Sequence, residues 1–248
     1  MHEFEIREEI TIDARPEEVW NAIATGPGID AWFMGHTELE PRLGGRARME
    51  MPGWTAESTI TAWEPGRHFA YKGDENPDGT FMAFEYLIEG RGGSGTVLRF
   101  VHSGFLGDDW ETEYDALTNG DRMYLEKLAV YASHFAGRTA TYHLFTLGPQ
   151  VADRDKVWAA YRDALGLGET VEVGDKARVA VEGLPPADGV VEFVRLPYWV
   201  GVRTDDGFYA LMWGHQDTPV VEYSAFNADV DGARIERAWQ SWLAAQLA

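Results

Sequence analysis

The stretch from Ile6 to Phe33, IREEITIDARPEEVWNAIATGPGIDAWF, joins an alternating strand, a turn and a Trp-bearing amphipathic run. Phe4, Ile6, Ile10 and Ile12 share one face of a strand over Glu3 to Ile12, with Glu5, Arg7, Glu9 and Thr11 on the other. Glu8 falls on the apolar face, where an unpaired carboxylate is costly, so it is near a strand end or the sheet rim, paired with a nearby Arg, or lining a wet cavity. Asp13 can cap the turn and Pro16 suits a first helical position. Val19, Trp20 and Ile23 then recur at helical spacing until Gly26-Pro27-Gly28 stops the run. A short second helix is expected to carry Ile29, Trp32 and Phe33. The same helix signature returns in DRDKVWAAYRDALGL, Asp153 to Leu167, so a tandem chain is expected.

Beyond the opening segment the pattern turns to strands: Arg46 to Met51, Trp54 to Trp63, His68 to Lys72, Phe81 to Glu89 and Thr96 to Ser103. Each is bounded by Gly, Pro, Asn or Asp, as antiparallel hairpins require. Alternation puts Met82, Phe84, Tyr86 and Ile88 on one face, and Leu98, Phe100 and His102 on one face of the next strand. A long helix from about Thr112 to Phe135 carries Leu117, Tyr124, Leu128, Tyr131 and Phe135 along a stripe. Gly137-Arg138-Thr139 marks the expected boundary, giving domains 1–137 and 138–248. The second half repeats the order in reduced form: a strand from Thr141, the Val157-Trp158 helix, five strands and a helix with Trp239 and Trp242 on one side. It shows no counterpart of the Trp32-Phe33 helix.

The chain has 248 residues, a formal charge of −20, no cysteine, and 13% aromatic residues including ten Trp. That acidity, with no offsetting basic cluster, excludes the electrostatic term on which nucleic-acid binding depends. It also disfavours anionic membrane surfaces, and no apolar run reaches the ~20 residues of a spanning helix. The acidic, strand-like start MHEFEIREEI does not read as a signal peptide, so a cytoplasmic protein is expected. Disulfides and cysteine nucleophiles are excluded. The seven His are scattered without metal-ligand spacing, so no metal and no cofactor is expected.

The first half resembles the activator-of-Hsp90-ATPase-like branch of the START/Bet v 1 helix-grip superfamily, SRPBCC. The matching pieces stand in the family's order: ITIDARPEEVWNAIA at 10–24, AWF at 31–33, PRLGG at 41–45, EPGRHFAYK at 64–72, GTVLRFVHSGF at 95–105 and a long terminal helix. Gly120-Asp121 departs from the Gly-Trp found there in many relatives. The resemblance implies an α+β fold, a helix-grip antiparallel sheet around a long C-terminal helix, in tandem with a smaller helix-grip-like unit. It also implies a cavity between sheet and helix.

Gly90-Arg-Gly-Gly-Ser-Gly95 matches a dinucleotide-binding string, but the strand residues Val97-Leu-Arg-Phe-Val follow it, so it reads as a hairpin turn. His102 and Ser103 point to opposite faces and cannot form a catalytic pair. His102 on the inward face is either a satisfied core histidine or a polar group in an aromatic cavity. Trp32, Phe33 and Trp54 are core residues or gates. The expected function is a binding protein for a small hydrophobic or aromatic molecule. Its walls and anchors would be Glu8, Trp32, Phe33, Met82, Phe84, Tyr86, Phe100, His102, Tyr124, Leu128 and Tyr131, with no catalytic residue. Two alternatives stand beside it: a polyketide cyclase or hydrolase using Glu8 and His102, and a chaperone-interacting module. The second half would support the first or form a homodimer surface with its Trp239-Trp242 helix.

Overall fold

The computed structural model describes residues 1–51, 53–91 and 95–247, and every side chain among them but that of His215. Residues 92–94 of the glycine-rich string lie outside the described residues. The chain divides into two compact units, Met1–Thr139 and Ala140–Ala248.

In the first unit the elements run β1 (His2–Ile12), α1 (Pro16–Ala24), α2 (Gly26–Ile29), β2 (His36–Leu39), β3 (Arg46–Met51), β4 (Trp54–Glu64), β5 (His68–Gly73), β6 (Phe81–Gly90), β7 (Thr96–Leu106) and α3 (Trp110–His134). The strands form one antiparallel sheet in the order β1-β7-β6-β5-β4-β3-β2. Strands β2 to β7 are a meander of hairpins, and β1 returns beside the last of them. The unit is therefore α+β, with α3 packing against β1 and β7.

Local chemistry sets the turn after β1. Glu18 Oε2 accepts from Arg15 N at 2.8 Å and the same carboxylate holds the Arg15 guanidinium, so Arg15 and Glu18 cap α1 where Asp13 was expected to. Gly26-Pro27-Gly28, read as a stop, is itself a helical turn, opened by Thr25 Oγ1 accepting from Gly28 N at 3.1 Å. A Cβ on Gly28 would lie 2.0 Å from Asn21 O, so glycine here lets one turn press onto the last turn of α1. Trp32 and Phe33 follow this turn and lie outside any helix. Strand β2 is short, with Thr37 its single buried residue, which is why alternation did not reveal it.

Register fixes the concave face. Tyr71 opposes Phe84, Phe84 opposes His102 and His102 opposes Ile6; one step along, Phe69 opposes Tyr86, Tyr86 opposes Phe100 and Phe100 opposes Glu8. These two cross-strand rows form an aromatic floor. On α3, Tyr124, Leu128 and Tyr131 are buried as the stripe predicts. The helix begins at Trp110, two residues before the expected Thr112, so the acidic segment around Asp108 runs into its first turn.

The second unit runs β8 (Tyr142–Leu147), α4 (Arg154–Leu165), β9 (Lys176–Val179), β10 (Ala187–Arg195), β11 (Trp199–Thr204), β12 (Gly207–Trp213), β13 (Pro219–Ala225) and α5 (Gly232–Leu247), with a 3-10 turn at His215–Asp217. Its sheet order, β8-β13-β12-β11-β10-β9, repeats the wiring of the first with one strand fewer: first strand beside last, then a meander back. Among the described residues no helix corresponds to α2. Trp239 is fully buried against Tyr209 in this unit's own core, with the partly buried Trp242 packed beside it, so Trp239 itself faces inward. Among the described residues no helix is long and apolar enough to cross a membrane.

Gly120 lies inside α3, and a Cβ there meets nothing within 4 Å. Gly120→Ala should therefore stabilise the protein by about 0.5–1 kcal/mol, by restricting the unfolded chain and raising helix propensity. A urea titration in which the variant unfolds earlier than the parent would show that space to be needed.

Candidate ligand-binding site

Two adjacent residues of α3 reach down to two strands. Asp121 Oδ2 lies 2.8 Å from His102 Nδ1 on β7, and Arg122 Nη1 donates to Glu8 Oε2 on β1 at 2.8 Å. Arg122 also lies 3.5 Å from Glu126, one helical turn on. Glu8 is thus paired with an Arg, with a side chain 22% exposed at the edge of the interior.

His102 is 1% exposed. Phe84 stacks on its ring at a centroid distance of 4.1 Å and Phe4 meets it edge-on at 5.0 Å. Its Nε2 is buried and has no hydrogen-bond partner among the described residues. Burial holds the Asp121 carboxyl above its usual range; His102 pulls it back and Glu8 adds to the rise. The Tyr71 and Tyr86 hydroxyls hydrogen-bond one another, and burial pushes both well up, with the nearby Asp121 charge acting the same way. A buried polar cluster of His102, Asp121, Tyr71 and Tyr86 therefore sits on the aromatic floor.

The other expected residues distribute around it. Phe100 is buried and tilted against Tyr86 and Phe84. Tyr124 carries Phe33 on its ring at 4.5 Å, and Leu128 has no exposed surface. Tyr131 turns away, donating its hydroxyl to Arg138 O at 2.9 Å. Trp32 is a core residue, its indole N–H donating to Ala22 O at 2.9 Å, and Phe33 is half-buried. Met82 shares the face of Phe84 but is 37% exposed and sits at the rim. Trp54, for which core was the favoured reading, is 58% exposed at the β3–β4 hairpin.

Burial is uneven across the concave face. Toward β1 and β7, Phe4, Ile6, Leu98, Phe100 and His102 are sealed. Toward β3 to β6, Met49, Ala56, Tyr71 and Phe84 keep accessible surface, as does Phe33 beyond them. The half-open side of the interior thus borders the buried polar cluster. Glu8 and His102 lie on the same face, two residues out of register, but each is engaged by α3, so they do not form a free acid/base pair. No cluster of three or more metal-ligating side chains occurs among the described residues.

Arg122 and Tyr71 were not singled out from the sequence, and Asp121 was noted only as a departure from the relatives' Gly-Trp, not recognised as a site residue. Asp121 could have been: it sits four residues after Leu117 and three before Tyr124, on the apolar stripe of α3, where a carboxylate needs a buried partner.

Residues 13–133 match the family model described as Activator of Hsp90 ATPase homolog 1-like protein. Among solved structures, the chain is similar to a Mesorhizobium loti protein at 23% identity, covering 51% of this chain and 94% of that one, with a TM-score of 0.45. The Aha1 dimer from Colwellia psychrerythraea shows 20% identity over 52% of this chain and 96% of its own, with a TM-score of 0.45. The di-domain ARO/CYC BexL from the BE-7585A biosynthetic pathway is 12% identical over 98% of both chains, with a TM-score of 0.49. No curated protein matches the chain.

The Asp121 contact makes two testable statements. Asp121→Ala leaves a second buried nitrogen of His102 unpaired and should cost about 1–3 kcal/mol in urea unfolding. For pH, a carboxyl whose folded pKa is raised contributes most favourably below its ordinary value of 3.8, and that contribution is lost as pH climbs through the raised folded value. Asp121→Asn does not titrate, so its stability relative to the parent should increase over that window; a pH-independent difference would contradict the burial of an ionised Asp121. By fold, by residue order and by the family model that spans nearly all of it, the first unit is similar to the activator of Hsp90 ATPase homolog 1-like family.

Proposed function

We propose that the first unit binds a small apolar or aromatic molecule between the concave face of its sheet and α3. The observation that carries this reading is the His102 ring, buried among Phe4, Phe84 and Phe100 with Nε2 unpartnered beside the half-open side of the interior. A buried polar atom without a partner costs free energy, and an incoming polar group relieves it. Aromatic walls with a few convergent polar groups are the usual make-up of a small-molecule site. Phe84, Tyr86, Phe100, Tyr124 and Leu128 are the proposed walls, with Phe33 and Met82 toward the rim. His102 and the Tyr71 hydroxyl are the polar anchors, while Glu8 acts through Arg122 to hold α3 in place. The family match and the helix-grip wiring support the same reading.

A second reading is favoured by one contact. An imidazole whose Nδ1 meets a carboxylate is held in the way a general base is held, so cyclisation or hydrolysis would use His102 with Asp121 in place of the expected His102 with Glu8. Turnover of a bound molecule, abolished in His102→Gln with binding retained, distinguishes the enzyme from the receptor.

Native mass spectrometry of the protein purified from its own source should show a retained small molecule. Ala56→Trp sets a large ring on the half-open part of the concave face. It should weaken that molecule at least about tenfold while circular dichroism stays unchanged, since the ring would fill space the ligand is proposed to take. Unchanged retention in the variant would place the ligand elsewhere.

A further inference from the structure

A ring nitrogen that faces an ionised carboxylate must carry the proton, because the carboxylate only accepts. At 2.8 Å from Asp121 Oδ2, Nδ1 of His102 therefore carries a proton, and in the uncharged ring that burial favours Nε2 is left with its lone pair. That lone pair is the buried, unpartnered atom. The rings packed on His102 include Phe4 edge-on and Phe84 face-on, and neither supplies a hydroxyl or N–H group. The Tyr71 and Tyr86 hydroxyls are engaged with one another. The interior thus presents an acceptor that no hydrogen bond among the described residues meets.

We infer that Asp121 is a positioning residue that fixes His102 as an acceptor, so the molecule taken by the first unit carries a hydroxyl or N–H donor on an apolar or aromatic frame, a phenol being the simplest case. This rests on the ligand-binding reading above and adds the polarity of the group recognised. Glu8 does not compete for the role, since Arg122 holds its Oε2 at 2.8 Å. A site built around one hydrogen bond discriminates strongly against an analogue lacking the donor, because the buried acceptor is then covered and left unpaired.

The tautomer can be read without any ligand. In the full chain labelled with 15N, the His102 ring signals, assigned by their loss in His102→Gln, should show a neutral imidazole protonated on Nδ1. Asp121→Asn keeps an acceptor oxygen and should preserve that tautomer, whereas Asp121→Leu should release it toward Nε2–H; a purely structural role for Asp121 would leave the tautomer alone. Protonation on Nε2, or on both nitrogens, in the parent chain overturns the inference. The binding arm compares 2-naphthol with 2-methoxynaphthalene, which share a frame but differ in the donor. 2-Naphthol should bind at least about tenfold tighter, shift Nε2, and lose that advantage in Asp121→Leu. Equal binding, or tighter binding of the ether, rejects the donor rule while the ligand-binding reading stands. Failure of both probes to bind counts against the reading itself and takes this inference with it.

Discussion

One helix must cover the concave face of a seven-stranded sheet, and most of what the first unit can do follows from how α3 meets that demand. Apolar contact alone would allow α3 to roll about its axis, because hydrophobic contact is not directional. Asp121 and Arg122 remove that freedom by reaching His102 on β7 and Glu8 on β1. Both ties also depend on strand register. A one-residue slip of β7 against its neighbours would turn Arg99, Val101 and Ser103 inward and His102 outward, leaving Asp121 buried against nothing. The polar pairs therefore specify one arrangement among several that burial would tolerate.

In the second unit, under the same wiring, helix is tied to sheet through backbone acceptors. Tyr209 and Tyr223 stack at 4.0 Å and share a hydrogen bond, with burial pushing the Tyr223 hydroxyl up to about 12. Tyr161 directs its hydroxyl at the carbonyls of Met212 and Val220, and Trp158 directs its indole at Pro197 O. These groups meet backbone acceptors or each other, around a core of Val, Leu and Trp side chains. The indole nitrogen of Trp239 is nevertheless buried there without a hydrogen-bond partner among the described residues, and His143 Nε2 lies 3.8 Å from the buried Glu222 carboxylate. Polar satisfaction alone therefore does not separate the two units; in the first, charged side chains tie α3 to the sheet.

Much of this was legible in the sequence, because periodicity reports which face a residue occupies. Alternation alone put Phe84, Tyr86, Phe100, His102 and Glu8 on one surface, and they share it. What periodicity does not report is the partner. Glu8 was seen as anomalous, but its partner Arg122 stands 114 residues away, and only tertiary packing joins them. The turn after α1 was misread because glycine was treated as a helix stop, when Gly28 is there to let Asn21 approach. Trp54 misled for a related reason: a large ring is usually inside, but this one sits on a hairpin that nothing in its own unit covers. Trp239 was offered as a contact surface, and its spacing fits one, yet the same stripe is what a core-facing helix shows.

The pairing of His102 with Asp121 is hard to account for as a stability device. Replacing a buried polar pair by apolar groups of similar shape is commonly neutral or favourable, since the desolvation of both partners is then avoided. The pair also leaves Nε2 unmet, which adds a cost that a Leu or Met at either position would not carry. If orientation of α3 were the sole requirement, the Arg122–Glu8 contact at the edge of the interior already supplies it with less desolvation, both side chains being partly exposed. A second, deeper and incompletely satisfied tie is therefore redundant for folding. Under the binding reading proposed above, a polar group of the bound molecule would meet that atom and give the pair a role that folding does not supply.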